Sequence, residues 1–270
     1  MAAEDGKGTG LAARLAQMLG VVRDADGNRL VKPFVRRYDR YTSLQFSRKQ
    51  TQSRMLTAEP DVLLIDYTRT MMAALLLRPD SRSIGMVGLG GGSQAKFCHR
   101  HLPQARIEVV ENNPAVIALR RKFAIPDDDE RLQVLLGDGA KFLQSRRGSY
   151  DLLLVDGYDE HGIPPALSTQ QFYDDCRDAL APGGVMSVNL FATGSTAHLE
   201  LIGRSFGGRM VVLEETKMSN RVAFAWMDGA LPPVPIDSGV VLRGLPEDAR
   251  RQLGPAFARL AQALEDADAQ

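Results

Sequence analysis

The residues best placed to do chemistry are a glycine-rich turn, Gly88-Leu89-Gly90-Gly91-Gly92-Ser93, and acids closing successive apolar runs: Glu111, Asp138 and Asp156, with Asp159 shortly after. Glycine at 88, 90 and 92 lets the backbone turn tightly and approach a ligand with no Cβ in the way. The helix expected to follow offers free backbone N–H groups at its start. A dinucleotide fingerprint asks for Gly or Ala where Ser93 stands, so a nicotinamide oxidoreductase fits poorly. The spacing suits a loop that holds S-adenosylmethionine. The plain alternative is a strand-to-helix turn with no ligand.

Glu111 lies roughly 20 residues past the glycines, where an acid can accept both ribose hydroxyls of a nucleoside. Asp138 sits in Gly137-Asp138-Gly139. Its carboxylate can accept from an adenine amino group while Gly139 lets the backbone lie against the ring. An Asx turn or a helix N-cap explains the same residue equally well. Asp156 ends the run Asp151-Leu-Leu-Leu-Val-Asp156, and Asp159 follows in the next loop. Ligands of open α/β sheets bind outside the carboxyl ends of the strands, which puts both acids at the reacting centre. Two carboxylates there can hold a cationic amine and take its proton as it becomes a nucleophile. A sulfonium leaves as a neutral thioether, so no general acid is required, and alignment supplies much of the rate. The bland reading makes Asp159, Glu160 and His161 a solvated loop.

These residues need a scaffold of alternating strands and helices, and the pattern supplies one. Strands are expected at Ser83–Val87, Arg106–Val110, Gln133–Leu136, Asp151–Val155 and Val185–Leu190. Helices are expected at Thr68–Leu77, Gln94–His101, Pro114–Phe123, Ala140–Ser145, Thr169–Leu180 and His198–Arg204. Continuous apolar strands in such an alternation predict a parallel sheet covered on both faces. Met210–Glu214 and Val222–Met227 predict an antiparallel final hairpin. The fold class is therefore α/β, a Rossmann-like mixed sheet that is mostly parallel. Ahead of it, Val21 to about Met55 is β-rich, with strands at Leu30–Phe34, Val35–Tyr41 and Ser43–Ser47. Residues 1–9 are expected to be disordered, and Leu11, Leu15, Met18 and Leu19 predict a short amphipathic helix. Residues 231–245 are expected to be irregular, and Pro246–Asp266 to form a surface helix. The expected division is 1–20, 21–66, 67–230 and 231–270.

Lys+Arg 33 against Asp+Glu 33 in 270 residues gives no net charge. That argues against nucleic acid as a partner. Lys32, Arg36, Arg37, Arg40, Arg48, Lys49 and Arg54 crowd one early stretch, read as a solvated strand face. Cys98 and Cys176 show no metal-ligand or disulfide spacing, so no metal is expected. Apolar runs are too short to span a bilayer and the start has no signal core, so a cytoplasmic protein with no membrane partner is expected.

From about Tyr67 to Leu190 the chain resembles the spermidine synthase (polyamine aminopropyltransferase) family, within the methyltransferase-like superfamily. Gly88–Gly92 matches its glycine loop, Glu111 its ribose acid, and Gly137-Asp138-Gly139 its adenine motif. Tyr150-Asp-Leu-Leu-Leu-Val-Asp156 matches the strand bearing its catalytic aspartate. The resemblance implies that Asp156 deprotonates the amine, that Asp159 binds an amine and that Tyr67 lies on the substrate side. It implies decarboxylated S-adenosylmethionine or S-adenosylmethionine as donor, a small-molecule amine acceptor, and a homodimer. Three departures concern the polyamine half. Ser93 replaces an aspartate that holds the aminopropyl amine. Thr68-Arg69 replaces Gln-Glu, turning an acid into a base. Asp156-Gly157-Tyr158-Asp159-Glu160 replaces Asp-Ser/Thr-x-Asp-Pro. Aminopropyl transfer is the expected activity. S-adenosylmethionine-dependent methyl transfer and a non-catalytic nucleoside-binding role are the alternatives, the latter favoured by Arg69.

Overall fold

A computed structural model describes residues 21–48, 50–159, 161–215, 217, 219–228 and 236–269. The helix expected at Leu11–Leu19 and the tail before it lie outside the described residues. The described chain opens with a short hairpin, β1 (Val22–Arg23) and β2 (Arg29–Leu30), turned at Gly27. A three-stranded antiparallel sheet follows, made of β3 (Phe34–Arg37), β4 (Tyr41–Ser47) and β5 (Gln50–Leu56). The strand expected across Leu30–Phe34 is broken. β2 ends at Leu30, and Pro33, which has no N–H to donate, precedes β3. β5 was not expected as a separate strand, because Gln50-Thr-Gln-Ser53 shows no apolar alternation.

The main sheet has seven strands. They are β6 (Ser83–Val87), β7 (Arg106–Glu111), β8 (Leu132–Leu136), β9 (Tyr150–Val155), β10 (Leu180–Phe191), β11 (Met210–Glu215) and β12 (Asn220–Trp226). Their spatial order is β11-β12-β10-β9-β6-β7-β8. β6 to β10 run parallel, and β12 and β11 add antiparallel at one edge, as the pattern predicts. β9 shows why the inner strands read as continuous apolar runs. Leu152 and Leu154 enter the core on one face, Leu153 and Val155 the core on the other.

One face is covered by α1 (Asp66–Met72) and α2 (Ser93–His101), with a 3₁₀ turn at Ala73–Leu76. α3 (Pro114–Ile117) follows β7, and α4 (Gly139–Gln144), α5 (Gln170–Ala179) and α6 (Ser195–Phe206) cover the opposite face. A short helix, α7 (Ser238–Arg243), and a long one, α8 (Glu247–Asp268), come last in the described chain. α8 is the amphipathic surface helix expected here: Leu253, Phe257, Leu260 and Leu264 join the first core while Arg250, Arg251, Ala258 and Arg259 are exposed. α7 falls in the stretch expected to be irregular, with Asp237 capping its first N–H groups. The helix expected over Pro114–Phe123 splits after Ile117, and a 3₁₀ turn at Arg120–Phe123 then brings Phe123 and Ile125 under the glycine turn. β10 starts earlier than expected, at Leu180. The Ala181-Pro-Gly-Gly184 stretch is a register shift within the strand rather than a turn before it.

Candidate active site

The chain leaves β6 for β7 and β8 on one side, then returns to β9 on the other side. The crevice between the C-terminal ends of β6 and β9 is therefore the switch point of the sheet. Gly88 and Asp156 meet there. The Asp156 N–H donates to the Val87 carbonyl at 2.9 Å, and the Gly88 N–H to the Val110 carbonyl at 2.9 Å. Gly88 has φ +95, and a Cβ on it would lie 2.3 Å from the Asp156 carbonyl oxygen. Only glycine satisfies both conditions.

A cavity of about 310 Å³ opens at this point. Tyr67, Gly88, Gly90, Glu111, Asp138, Gly139, Asp156 and Asp159 all line it. Two expected residues do not. Gly92 (φ +66) faces Ile125, which a Cβ would meet at 2.5 Å, so its conformation serves the turn and not the cavity. Ser93 lines a small adjoining cleft shared with Tyr67, Gly88 and Gly90.

Glu111 is buried and spans the rim. Its Oε2 accepts from the Leu89 N–H at 3.0 Å and its Oε1 from the Asn113 N–H at 2.9 Å. Burial raises its pKa, and these backbone donors oppose the rise. The Gly90 and Asn112 N–H groups pull in the same direction, so the carboxylate sits in a ring of backbone donors at the cavity wall. Asp138 is the N-cap of α4, its Oδ1 accepting from the Lys141 N–H at 2.9 Å. The cap reading thus holds for one oxygen while the residue still faces the cavity. Gly139 packs its Cα against Val87, which a Cβ would meet at 2.6 Å.

Asp156 lies between two donors. The Tyr67 hydroxyl donates to Oδ2 at 3.0 Å, and Asn189 Nδ2 donates to Oδ1 at 2.8 Å. Burial pushes the carboxyl above its ordinary range, while the Asn189 and Tyr67 bonds pull it back. The Tyr67 hydroxyl is pushed well up by burial and by the Asp156 charge, so it stays protonated and remains a donor. Asn189 is in turn fixed by Asn220, whose Nδ2 donates to Asn189 Oδ1 at 2.9 Å. Asp159 forms an Asx turn. Its Oδ1 accepts from the His161 and Gly162 N–H groups at 2.7 and 3.0 Å. From above, Gln52 of β5 donates to the Asp159 carbonyl at 3.3 Å.

Sequence reasoning missed Asn189, Asn220, Gln52 and Phe191. Asn189 had a signal, since a lone amide stood at the end of the apolar run from Val185. Gln52 had none, because a fold contact alone brings β5 over the β9 loop. Arg69 needs correction. It was expected to replace a polyamine-gripping acid, yet its guanidinium bonds the Leu63 carbonyl and Asp66. It lines a separate cleft with Glu215 and Arg259. Residues 66, 69 and 70 share one face of α1, and Tyr67 and Thr68 look the other way. Among the described residues no Lys, Arg or His lines the main cavity or its adjoining cleft. No cluster of three or more metal-binding side chains occurs among them either, and no helix is long and apolar enough to cross a membrane.

A mixed seven-stranded sheet of this order, with its crevice at the β6/β9 switch, defines a Rossmann-like fold of the methyltransferase type. Solved structures share it. A probable spermidine synthase from Corynebacterium glutamicum aligns with TM-score 0.64 at 18% identity, over 78% of this chain and 82% of that one. Human methyltransferase-like protein 13 in complex with SAH aligns with TM-score 0.56 at 21% identity, over 72% of this chain and 93% of that one. At such identities the likeness concerns the fold alone. Sequence carries the relationship further. The model of the spermine/spermidine synthase domain matches residues 65–200. The polyamine aminopropyltransferase of Chromobacterium violaceum is 36% identical over 187 residues, 68% of this chain and 72% of the relative. That of Neisseria meningitidis is 34% identical over 189 residues, with the same coverage. The chain belongs to the spermine/spermidine synthase family, a family of transferases.

Proposed function

We propose that the protein transfers an aminopropyl group from decarboxylated S-adenosylmethionine to a small amine, with Asp156 as proton acceptor. The observation that carries this reading is the charge of the cavity: Glu111, Asp138, Asp156 and Asp159 line it, and among the described residues no cationic side chain does. Such a wall favours a sulfonium donor and an ammonium acceptor over carboxylate or phosphate ligands. Glu111 holds the ribose hydroxyls and Asp138 the adenine amino group. Gly88 and Gly90 leave the donor room where side chains would stand. Asp156 and the free oxygen of Asp159 hold the acceptor ammonium. Asp156 takes one proton from it, which frees the nitrogen lone pair. That nitrogen bonds the donor carbon as the C–S bond breaks, and the bonding pair leaves on sulfur as a neutral thioether. The product nitrogen is a secondary ammonium, so charge and protons balance. Tyr67 and Asn189 position Asp156 throughout. The family's relatives named polyamine aminopropyltransferases support this reading. We also propose that residues 67–230 form the catalytic unit and residues 21–66 its cover.

One observation favours methyl transfer from S-adenosylmethionine as a second reading. The cleft around Ser93 holds hydroxyls and amides but no acid, so it offers no counter-charge to a lone aminopropyl ammonium. Calorimetry with the two donors separates the readings. The test of the chemistry is Asp156→Asn. Loss of the proton acceptor should lower kcat by roughly 10²- to 10⁴-fold. Methylthioadenosine should bind the variant nearly as it binds the wild type. Lost binding together with undiminished turnover per bound complex would defeat the assignment.

A further inference from the structure

β9 pairs with β10 only as far as Val155 and Val188. There β9 ends, and the Asp156 N–H turns to Val87 of β6. β10 runs on to Phe191 and carries Asn189, whose amide donates to Asp156 at 2.8 Å. β12 supports this extension along one side, pairing Val222 with Asn189 and Asn220 with Phe191. Along the other side β9 no longer runs, although Asn189 is buried. The Asn189 carbonyl and the Phe191 N–H are strand groups that need partners.

Tyr158 serves both. Its hydroxyl accepts from the Phe191 N–H at 2.7 Å and donates to the Asn189 carbonyl at 3.3 Å. One hydroxyl can do this because it carries a donor and two acceptor lone pairs. Burial and the Asp156 charge push the Tyr158 hydroxyl up, so it stays protonated and keeps its donor. Gly157 brings the ring into place. A Cβ there would meet Leu167 at 2.6 Å, so glycine lets the chain pass close to Leu167 as it leaves Asp156. This gives a use to the Gly157-Tyr158 pair, at which the chain departs from the family motif.

We propose that Tyr158 is a positioning residue for Asp156 that acts through Asn189: its hydroxyl stands in for the strand that has ended and keeps the Asn189 amide on the carboxylate. The inference rests on the transfer reading above. Without the hydroxyl, the end of β10 is held on one side only, and Asp156 loses support for its charged form. Its carboxylate then forms only at higher pH. Tyr67 of α1 also feels the Asp156 charge and stays protonated, and Glu111, Asp138 and Asp159 share the cavity in wild type and variant alike.

Tyr158→Phe keeps the ring and removes the hydroxyl. The experiment measures kcat/KM from about pH 5 to pH 9 in Tyr158→Phe, Asn189→Ala and the double variant. The donor is decarboxylated S-adenosylmethionine, and the acceptor is whichever of putrescine, cadaverine and hexylamine reacts fastest. Below the acidic limb Tyr158→Phe should be roughly tenfold slower than the wild type, and above it within about twofold. The Asp156 carboxyl should titrate at higher pH in the variant, read by NMR of carboxyl-labelled aspartate and assigned by the signal lost in Asp156→Asn. In the Asn189→Ala background Tyr158→Phe should have no further effect on either readout, because its path to Asp156 is already cut. A loss equal at every pH, an unmoved titration, or the same loss in both backgrounds overturns the proposal. So does a wild-type profile in Tyr158→Phe with loss only in Tyr158→Leu, which would assign the effect to packing of the ring. Absence of turnover in the wild type with all three amines overturns the transfer reading, while the titration still decides whether Tyr158 supports Asp156.

Discussion

Asp156 is half-buried and bonded by two donors, and desolvation and those bonds act on its proton in opposite senses. Burial favours the neutral acid, whereas the Asn189 amide and Tyr67 hydroxyl favour the carboxylate. Only the carboxylate can take a proton, so the rate is lost as pH falls through its pKa. Tyr67→Phe removes one donor to the charged form, which raises that pKa further. The acidic limb of the kcat/KM profile should therefore move to higher pH, read from rates across pH 5 to 9. A limb that stays in place or moves down would show that Tyr67 does not support the carboxylate. Glu111 has a different burden, since it ties the Leu89 and Asn113 backbones together as well as facing the cavity. Glu111→Ala should weaken methylthioadenosine binding by roughly 1–3 kcal/mol, the loss expected for a charge-assisted hydrogen-bond partner. Because two backbone donors are also orphaned, the variant should melt earlier even without ligand. An unchanged dissociation constant in calorimetry counts against the ribose assignment.

At the scale of elements, the glycine turn does two separable jobs. Gly88 lets β6 pass within reach of the β9 end, where a Cβ would meet the Asp156 carbonyl at 2.3 Å. Gly92 lets α2 start over Ile125, which a Cβ would meet at 2.5 Å. Both have positive φ, so alanine at either costs on the order of 1–3 kcal/mol from backbone strain alone. Gly88→Ala should in addition displace Asp156 and abolish turnover in the fraction that stays folded. Gly92→Ala should lower the melting temperature while the folded fraction keeps its activity. Equal loss of activity per folded molecule in both variants would remove the distinction. The sequence revealed the turn because alternating glycines after an apolar strand are a local signal. It revealed Glu111, Asp138 and Asp156 because each ends a strand whose apolar run is itself visible. It could not separate Gly92 from Gly88, since the reason for each lies in a residue far along the chain, Ile125 in one case and Asp156 in the other. Gln52 and Phe191 were hidden for the same reason: a sheet edge and a neighbouring strand bring them to the cavity. Arg69 misled because its position on α1, and not its charge, decides which cleft it faces. The split of the Pro114–Phe123 helix was equally out of reach, for no residue in that run is a helix breaker after Pro114.

Across the whole molecule the charges cancel, with Lys+Arg 33 and Asp+Glu 33, yet among the described residues the charged side chains that line the cavity are all acids. The lining is drawn from distant parts of the chain: Leu30 and Gln52 from the N-terminal strands, Tyr67 from α1, and the ends of β6, β7, β9, β10 and β12. A nucleoside seated there touches elements that only the folded state brings together, so it binds that state and not the unfolded chain. At a free concentration 100 times its dissociation constant, such a ligand adds about 2.7 kcal/mol to stability. A domain of this size gains roughly 2–4 °C per kcal/mol, so methylthioadenosine should raise the melting temperature by roughly 5–10 °C. NAD carries a second nucleotide and a pyrophosphate, and the acid-lined cavity offers no cation to receive them. It should give no comparable rise at the same concentration. Glu111→Ala should lose most of the increment at that fixed concentration, because a weaker complex shifts the unfolding equilibrium less. A rise with NAD equal to that with methylthioadenosine would mean that the cavity does not discriminate by charge and that its acidic wall does not select a sulfonium donor.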